Sequence, residues 1–290
     1  MASQGNLPSA AEDGFKDAAA YDVHRPNYPP NAVEAFLRTL RVAGEDRINV
    51  VEIAAGTGKF TELLAARPER YTVKAVEPHA SMRNKLAQKD LPGVEVLEGK
   101  ADKMPIQSEW GDVCIVAQAF HWFATPESLK EISRVLQPAA VLGMIWNVDD
   151  YNKPRRWPAT TRWEQMLNDF ILEFDDGLPR FRHQKWKEVF EDQPPTNPIQ
   201  AITNGLADRL PRFSLPLGQS SVKWAMWLSE EALWARINTL SQIAVLKGEE
   251  RDTAVKTFND ILRGDDVEKN SKGDIAVHGV TYYAWTDRIP

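Results

Sequence analysis

The chain has 290 residues, and 35 Lys and Arg against 41 Asp and Glu give a net charge of 35 − 41 = −6 with neutral histidines. With 43% hydrophobic and 26% charged residues it is an ordinary globular chain, long enough for one large domain or a core domain with an insertion. The acidic balance argues against nucleic acid as partner, because that affinity comes from Lys and Arg neutralising phosphates, and the single cysteine, Cys114, excludes an internal disulfide or a CxxC metal site.

The longest strongly apolar stretch, Ala139 to Trp146, falls far short of the ~20 residues a bilayer span needs. Met1 to Gly14 carries no basic patch followed by an apolar run, so no signal peptide is read there. The expectation is a soluble, cytoplasmic protein that meets no membrane, with residues 1–14 as a disordered leader and 15–290 as a single domain. Within that domain, 150–235 is expected to be an insertion that caps a pocket.

After a Pro-rich approach segment, Tyr21 to Pro30, the residues Ala32, Val33, Phe36, Leu37 and Leu40 recur at helical spacing. Short apolar runs then alternate with helical stretches. Ile48–Ala54, Thr72–Glu77, Val94–Leu97, Asp112–Ala117 and Ala140–Trp146 are strand candidates. Between the last two, Thr125 offers an N-cap and Pro126 a first helical position; Leu129, Ile132, Val135 and Leu136 form the buried face, and Pro138 ends the helix. Strands that are nearly continuous apolar runs predict a parallel sheet covered on both faces. Beyond Trp146 the rhythm breaks: a helix is read from Thr161 to Phe174, a mostly helical stretch from Val222 to Lys247, and a strand from Val277 to Trp285. Eight of the ten tryptophans lie at or beyond residue 146, which suits core packing and, for a few of them, an aromatic ligand pocket.

The strongest local signal is Val50 to Phe60 (VVEIAAGTGKF), where a strand ends and a helix begins, the ligand crevice of an open α/β sheet. A phosphate-binding loop would need glycine at 53 and Ser or Thr at 60, where Ile53 and Phe60 stand. A dinucleotide fingerprint would need glycines at 54, 56 and 59, and only Gly56 fits. Glu77 ends the second strand about twenty residues on, where an acid can take both hydroxyls of a ribose; with Pro78 after it, a helix-cap or turn role is equally open. Asp102 follows the third strand, placed either to accept a purine amine or as a solvated loop acid. The fourth strand runs into Gln118-Ala119-Phe120-His121-Trp122-Phe123.

Together these motifs resemble the class I S-adenosylmethionine-dependent methyltransferases, in particular the small-molecule type 11 subgroup that includes trans-aconitate methyltransferase-like proteins. The resemblance rests on VVEIAAGTGKFT (50–61), AVEPHASM (75–82), EGKADKMP (98–105), GDVCIVAQAFHWF (111–123) and ISRVLQPAAVLGMIWN (132–147), with AAAYDVHRPNYPP (18–30) and GVTYYAWTDR (279–288) at the ends. It implies a Rossmann-like seven-stranded mixed sheet of order 3-2-1-4-5-7-6, strand 7 antiparallel, with helices on both faces. It further implies that Ala54, Gly56 and Gly58 cradle the amino acid part of S-adenosylmethionine, with Glu52 ordering the loop. Glu77 and Pro78 would meet the ribose, Met82 would flank the adenine, and Ala101 and Asp102 would meet its edge. Ala117 and Gln118 would close the strand 4 side, and Tyr21 and Arg25 would close over the cofactor. Ala54 departs from the usual first glycine of the loop.

His121 is the candidate general base, its ordinary pKa of ~6.5 suiting proton pickup at neutral pH; packing against Trp122 or a cofactor contact is the alternative. The acceptor, a small and largely apolar or aromatic molecule, is expected beside His121, Trp122, Trp146, Asn147 and Tyr151. Oxygen methylation within secondary metabolism is the reading by resemblance. The five histidines form no metal-ligand set, so no metal is expected, and a monomer or homodimer is. Two rivals remain: a protein that binds the cofactor without methyl transfer, and a regulatory protein that has kept the fold.

Overall fold

The computed structural model describes residues 27–191 and 211–290. The leader, Tyr21, Arg25 and the Pro-rich turn at 193–198 lie outside them. Helix α1 (Pro30–Thr39) buries Ala32, Val33, Phe36 and Leu37, as its spacing predicts. Strand β1 (Asn49–Ile53) is followed by α2 (Lys59–Ala65), β2 (Thr72–Val76), α3 (Ala80–Ala87), β3 (Val94–Leu97) and β4 (Gly111–Ala117). Helix α4 (Pro126–Val135) starts as the sequence indicates: the Thr125 side chain accepts from the Ser128 N–H, and Pro126 takes the first turn.

Strand β5 (Leu136–Asp149) is longer than predicted. Leu136 opens it and does not close α4, and Pro138 lies inside the strand and does not end the helix. The reason is a register shift against β4: Gly111 pairs with Leu136, but Val113 pairs with Val141, and Ala139 takes a φ of 63°. A bulge of this kind absorbs a proline that has no N–H for the ladder.

Strands β1 to β5 pair in parallel, β1 with β2 and β4, β2 with β3, and β4 with β5. With β6 (Gly218–Leu228) and β7 (Ile275–Asp287) they form one seven-stranded mixed sheet of order β3-β2-β1-β4-β5-β7-β6. Strand β6 corrects the helical reading of 222–247. Val222, Trp224, Met226 and Leu228 are half-buried and alternate with exposed Lys223, Ala225 and Trp227, a period of two. Helix begins only at α7 (Glu230–Ile237), capped by Ser229; the short α6 (Glu188–Glu191) precedes β6, and α8 (Ser241–Ala244) and α9 (Gly248–Ile261) follow α7.

By contact density the chain separates into two compact units. Of the described residues, the core unit holds Pro30–Trp146, 184–191, 211–220 and Tyr282–Pro290, and the second unit holds 27–29, Asn147–His183 and Ser221–Thr281. These bounds differ from the expected insertion at 150–235. The second unit has its own apolar core, in which Trp163, Leu167 and Ile171 of α5 (Arg162–Leu172) join Leu233, Ile237, Phe258, Ile275 and Val277. It also buries Glu164, which accepts the His278 backbone N–H at 2.7 Å and faces the His278 ring nitrogen at 3.1 Å.

Candidate active site

The loop between β1 and α2 alternates handedness. Ala54, Gly56 and Gly58 have φ of 56°, 60° and 90°, all in the left-handed region. Two of those positions carry glycine, which takes such angles freely; Ala54 does so against the side-chain preference of an L-residue. A side chain on Gly58 would also run into Leu86 Cδ1 at 2.3 Å, so α3 packs directly on the loop. At Gly56 the nearest atom to such a side chain would be Met82 Sδ, at 3.9 Å, which sets Met82 beside the loop.

Glu77 follows β2 and reaches across to this loop. Its Oε2 accepts the Gly56 N–H at 2.8 Å and its Oε1 accepts the His79 N–H at 2.8 Å. The carboxyl is 2% exposed, and burial pushes its pKa above the usual carboxylate range while the two N–H bonds pull the other way. Arg83, which the sequence reading missed, holds the turn by donating to the Glu77 and Pro78 carbonyls at 3.0 and 2.9 Å and to Glu98 at 2.9 Å. Glu52 sits deeper, 1% exposed in β1. Burial, with a smaller push from Glu77, raises its pKa to about 8 against the pull of the Thr61 hydroxyl on α2. It is therefore a neutral acid at pH 7, packed beneath the loop.

The remaining predicted residues spread along the carboxyl ends of the strands. Ala101 is buried and Asp102 exposed in the turn between Lys100 and Lys103. Ala117 ends β4, and Gln118 turns away with a φ of 62° as its N–H bonds the Ile145 carbonyl. A single 3₁₀ turn, Phe120–Trp122, then presents His121 and Trp122, whose rings lie 4.9 Å apart.

Trp146 near the end of β5 is fully buried, and its indole N–H donates to His121 Nδ1 at 3.2 Å. That bond occupies the Nδ1 lone pair, so the proton of the neutral ring sits on Nε2. His121 can take a proton on Nδ1 only by giving up Trp146. Trp146 in turn lies 4.8 Å from the Trp186 ring and 6.1 Å from Tyr282, whose phenol donates to Gln219 at 2.5 Å. Lys187 donates to the same Gln219 oxygen at 2.9 Å. Trp186, Tyr282 and Gln219 were missed because nothing in their local sequence links them to His121; only packing does.

Asn147 and Tyr151 belong to the second unit. Asn147 accepts from Thr281 Oγ1 at 2.7 Å and donates to the Asn27 carbonyl at 3.3 Å, while Tyr151 is fully buried in that unit's apolar core. Among the described residues no cluster of three or more His, Cys, Asp or Glu could hold a metal ion, and no helix is long and apolar enough to cross a membrane.

Comparison with known proteins agrees with this geometry. A family model described as a methyltransferase domain matches residues 51–144. An uncharacterized methyltransferase-like protein of Schizosaccharomyces pombe is 33% identical over 175 residues, which cover 60% of this chain and 63% of that protein, less than two thirds of its length. A second, an uncharacterized methyltransferase of the same yeast, is 37% identical over 248 residues, 85% of this chain and 86% of the relative. Among solved structures, a candidate type II methyltransferase from Anaeromyxobacter dehalogenans shares the fold, with a TM-score of 0.53 at 18% identity over 92% of this chain and 99% of that one. With the strand order, the loop and the long yeast match in agreement, the chain belongs to the class I S-adenosylmethionine-dependent methyltransferases.

Proposed function

We propose that this protein transfers a methyl group from S-adenosylmethionine to an oxygen of a small, largely apolar or aromatic acceptor, in a secondary-metabolic setting. The observation that carries the reading is the buried Glu77 carboxylate bonded to the Gly56 N–H, which joins the acid after β2 to the left-handed loop after β1. Those residues fit the cofactor. Glu77 offers acceptor oxygens to a ribose diol, the backbone of 54–58 turns sharply enough for close approach, and Met82 supplies an apolar flank beside Gly56. Pro78, Ala101, Asp102, Ala117 and Gln118 complete the proposed cofactor edge, and Glu52, buried near the end of β1, orders the loop from beneath.

When bound, the cofactor supplies a methyl group already activated by a sulfonium. The chain's own task is alignment of the acceptor, which can be worth ~7–11 kcal/mol of barrier. His121 serves that end by donating from Nε2 to the acceptor oxygen, held in orientation by the Trp146 bond. Trp122 and Trp146 form the proposed aromatic wall. With a donor in this place, an acceptor that is already anionic or readily loses its proton suits the site better than an aliphatic alcohol.

The test is calorimetric titration of S-adenosylmethionine into the wild type and Glu77→Ala, with circular dichroism to check the fold. Losing the ribose partner weakens binding by ~1–3 kcal/mol, about five- to 150-fold. Unchanged affinity in a folded variant refutes the assignment. Binding without release of S-adenosylhomocysteine on any acceptor would favour the rival that keeps the cofactor without transferring methyl.

A further inference from the structure

Among the described residues of the second unit, Arg182 is a buried cation with no acid hydrogen-bonded to it. Arg180, Arg182 and His183 stand within one turn, and two of the three have acids. Both terminal nitrogens of Arg180 bond the Asp176 carboxylate, and one of them also donates to Ser241 at 3.0 Å. His183 Nε2 lies 2.9 Å from Asp175. Arg182, between them, is 6% exposed, and among the described residues its hydrogen bond is a single long one, 3.5 Å, from Nη1 to the Asn152 side-chain oxygen. Its Nε and Nη2 are buried and unpartnered.

Guanidinium does not shed its charge, so burying one without a hydrogen-bonded acid is costly. The two orphaned nitrogens are the diagnostic feature. Nε and Nη2 project their N–H groups in parallel from one edge of the guanidinium, the spacing that receives both oxygens of a carboxylate. The charge around the turn supports a monoanion. Asp175 and Asp176 spend their hydrogen bonds on His183 and Arg180 and act on Arg182 only through space, so a phosphate dianion would overfill the site beside two carboxylates.

We infer that Arg182 anchors a binding site for the carboxylate of a small organic acid, with Asn152 steadying the guanidinium. The inference stands apart from the methyl-transfer reading, and its test needs no turnover. Thermal unfolding of the full chain is measured in sodium acetate and in sodium benzoate, each against sodium chloride at equal ionic strength, and against sodium phosphate. At saturating carboxylate the wild type gains ~2–4 °C over chloride. Arg182→Lys keeps the charge but not the fork and loses most of that gain; Arg182→Met loses all of it and, in chloride, melts higher than the wild type because a buried guanidinium with two unpartnered nitrogens is gone. The inference is overturned by any of four results: no carboxylate-specific gain, a gain that survives in Arg182→Met, a larger gain with phosphate, or an Arg182→Met protein that melts several degrees lower in chloride.

Discussion

Replacing Glu52 with Gln tests whether the loop rests on a neutral acid. Burial raises the Glu52 pKa from 4.5 to about 8. Between those values the folded chain holds a proton that the unfolded chain releases. Unfolding therefore becomes easier as pH rises through this window, and the loss ends above about pH 8. The whole window is worth about 5 kcal/mol, and at pH 7 keeping Glu52 neutral costs about 3 kcal/mol. Gln has nearly the shape of the protonated acid and cannot ionise, so the variant escapes this cost. Urea unfolding at pH 5.5, 6.5 and 7.5 should show the stability difference between Glu52→Gln and the wild type growing by about 1.4 kcal/mol per pH unit in favour of Gln. Glu77 titrates in both proteins, so the difference isolates Glu52. A difference independent of pH would mean that Glu52 is ionised in the fold and that the acid beneath the loop has been misread.

Two further substitutions examine the loop and the histidine. Ala54→Gly relieves a left-handed alanine, a cost of ~1–2 kcal/mol, at the expense of ~0.4–1 kcal/mol of unfolded-chain entropy, so it should stabilise the protein by ~0.5–1 kcal/mol in urea unfolding, and a loss of stability contradicts the φ of 56°. With the Trp146 bond in place, turnover should show no rising limb near the ordinary histidine pKa, whereas Trp146→Phe removes the indole donor to Nδ1 and should introduce one. A wild-type profile that already rises there, unchanged by Trp146→Phe, would restore His121 as a general base.

The parts of this molecule that could be read from sequence are those whose cause is local. Strands β1, β2 and β4 are mostly buried, so their runs of Val, Ile and Ala announce them, and the glycines at 56 and 58 mark angles that few other residues accept. The errors arise where a distant partner decides. Pro138 reads as a helix end, but β4 pairs with Leu136 and again from Val141, leaving the proline on a bulge. Strand β6 hides its alternation because Ala225 and Trp227, on its exposed face, are themselves apolar and imitate a buried helix.

The site divides in the same way. Glu77 and Gly56 lie twenty-one residues apart, but each occupies the end of its own strand, so parallel pairing of β1 with β2 dictates their meeting. His121 was legible as an ionisable residue in the loop after β4. What it can do was not, because the direction of its proton depends on Trp146, twenty-five residues away. The same limit hid Arg182. Asp175 and Asp176 precede it closely enough for any reading of charge spacing to pair them, and only the folded turn commits both acids to Arg180 and His183. Residue type and spacing thus place the chemistry, while the choice of hydrogen-bond partner decides its direction. In this fold that choice fixes the direction of the Trp146–His121 bond and leaves the Nε–Nη2 edge of Arg182 without a partner among the described residues.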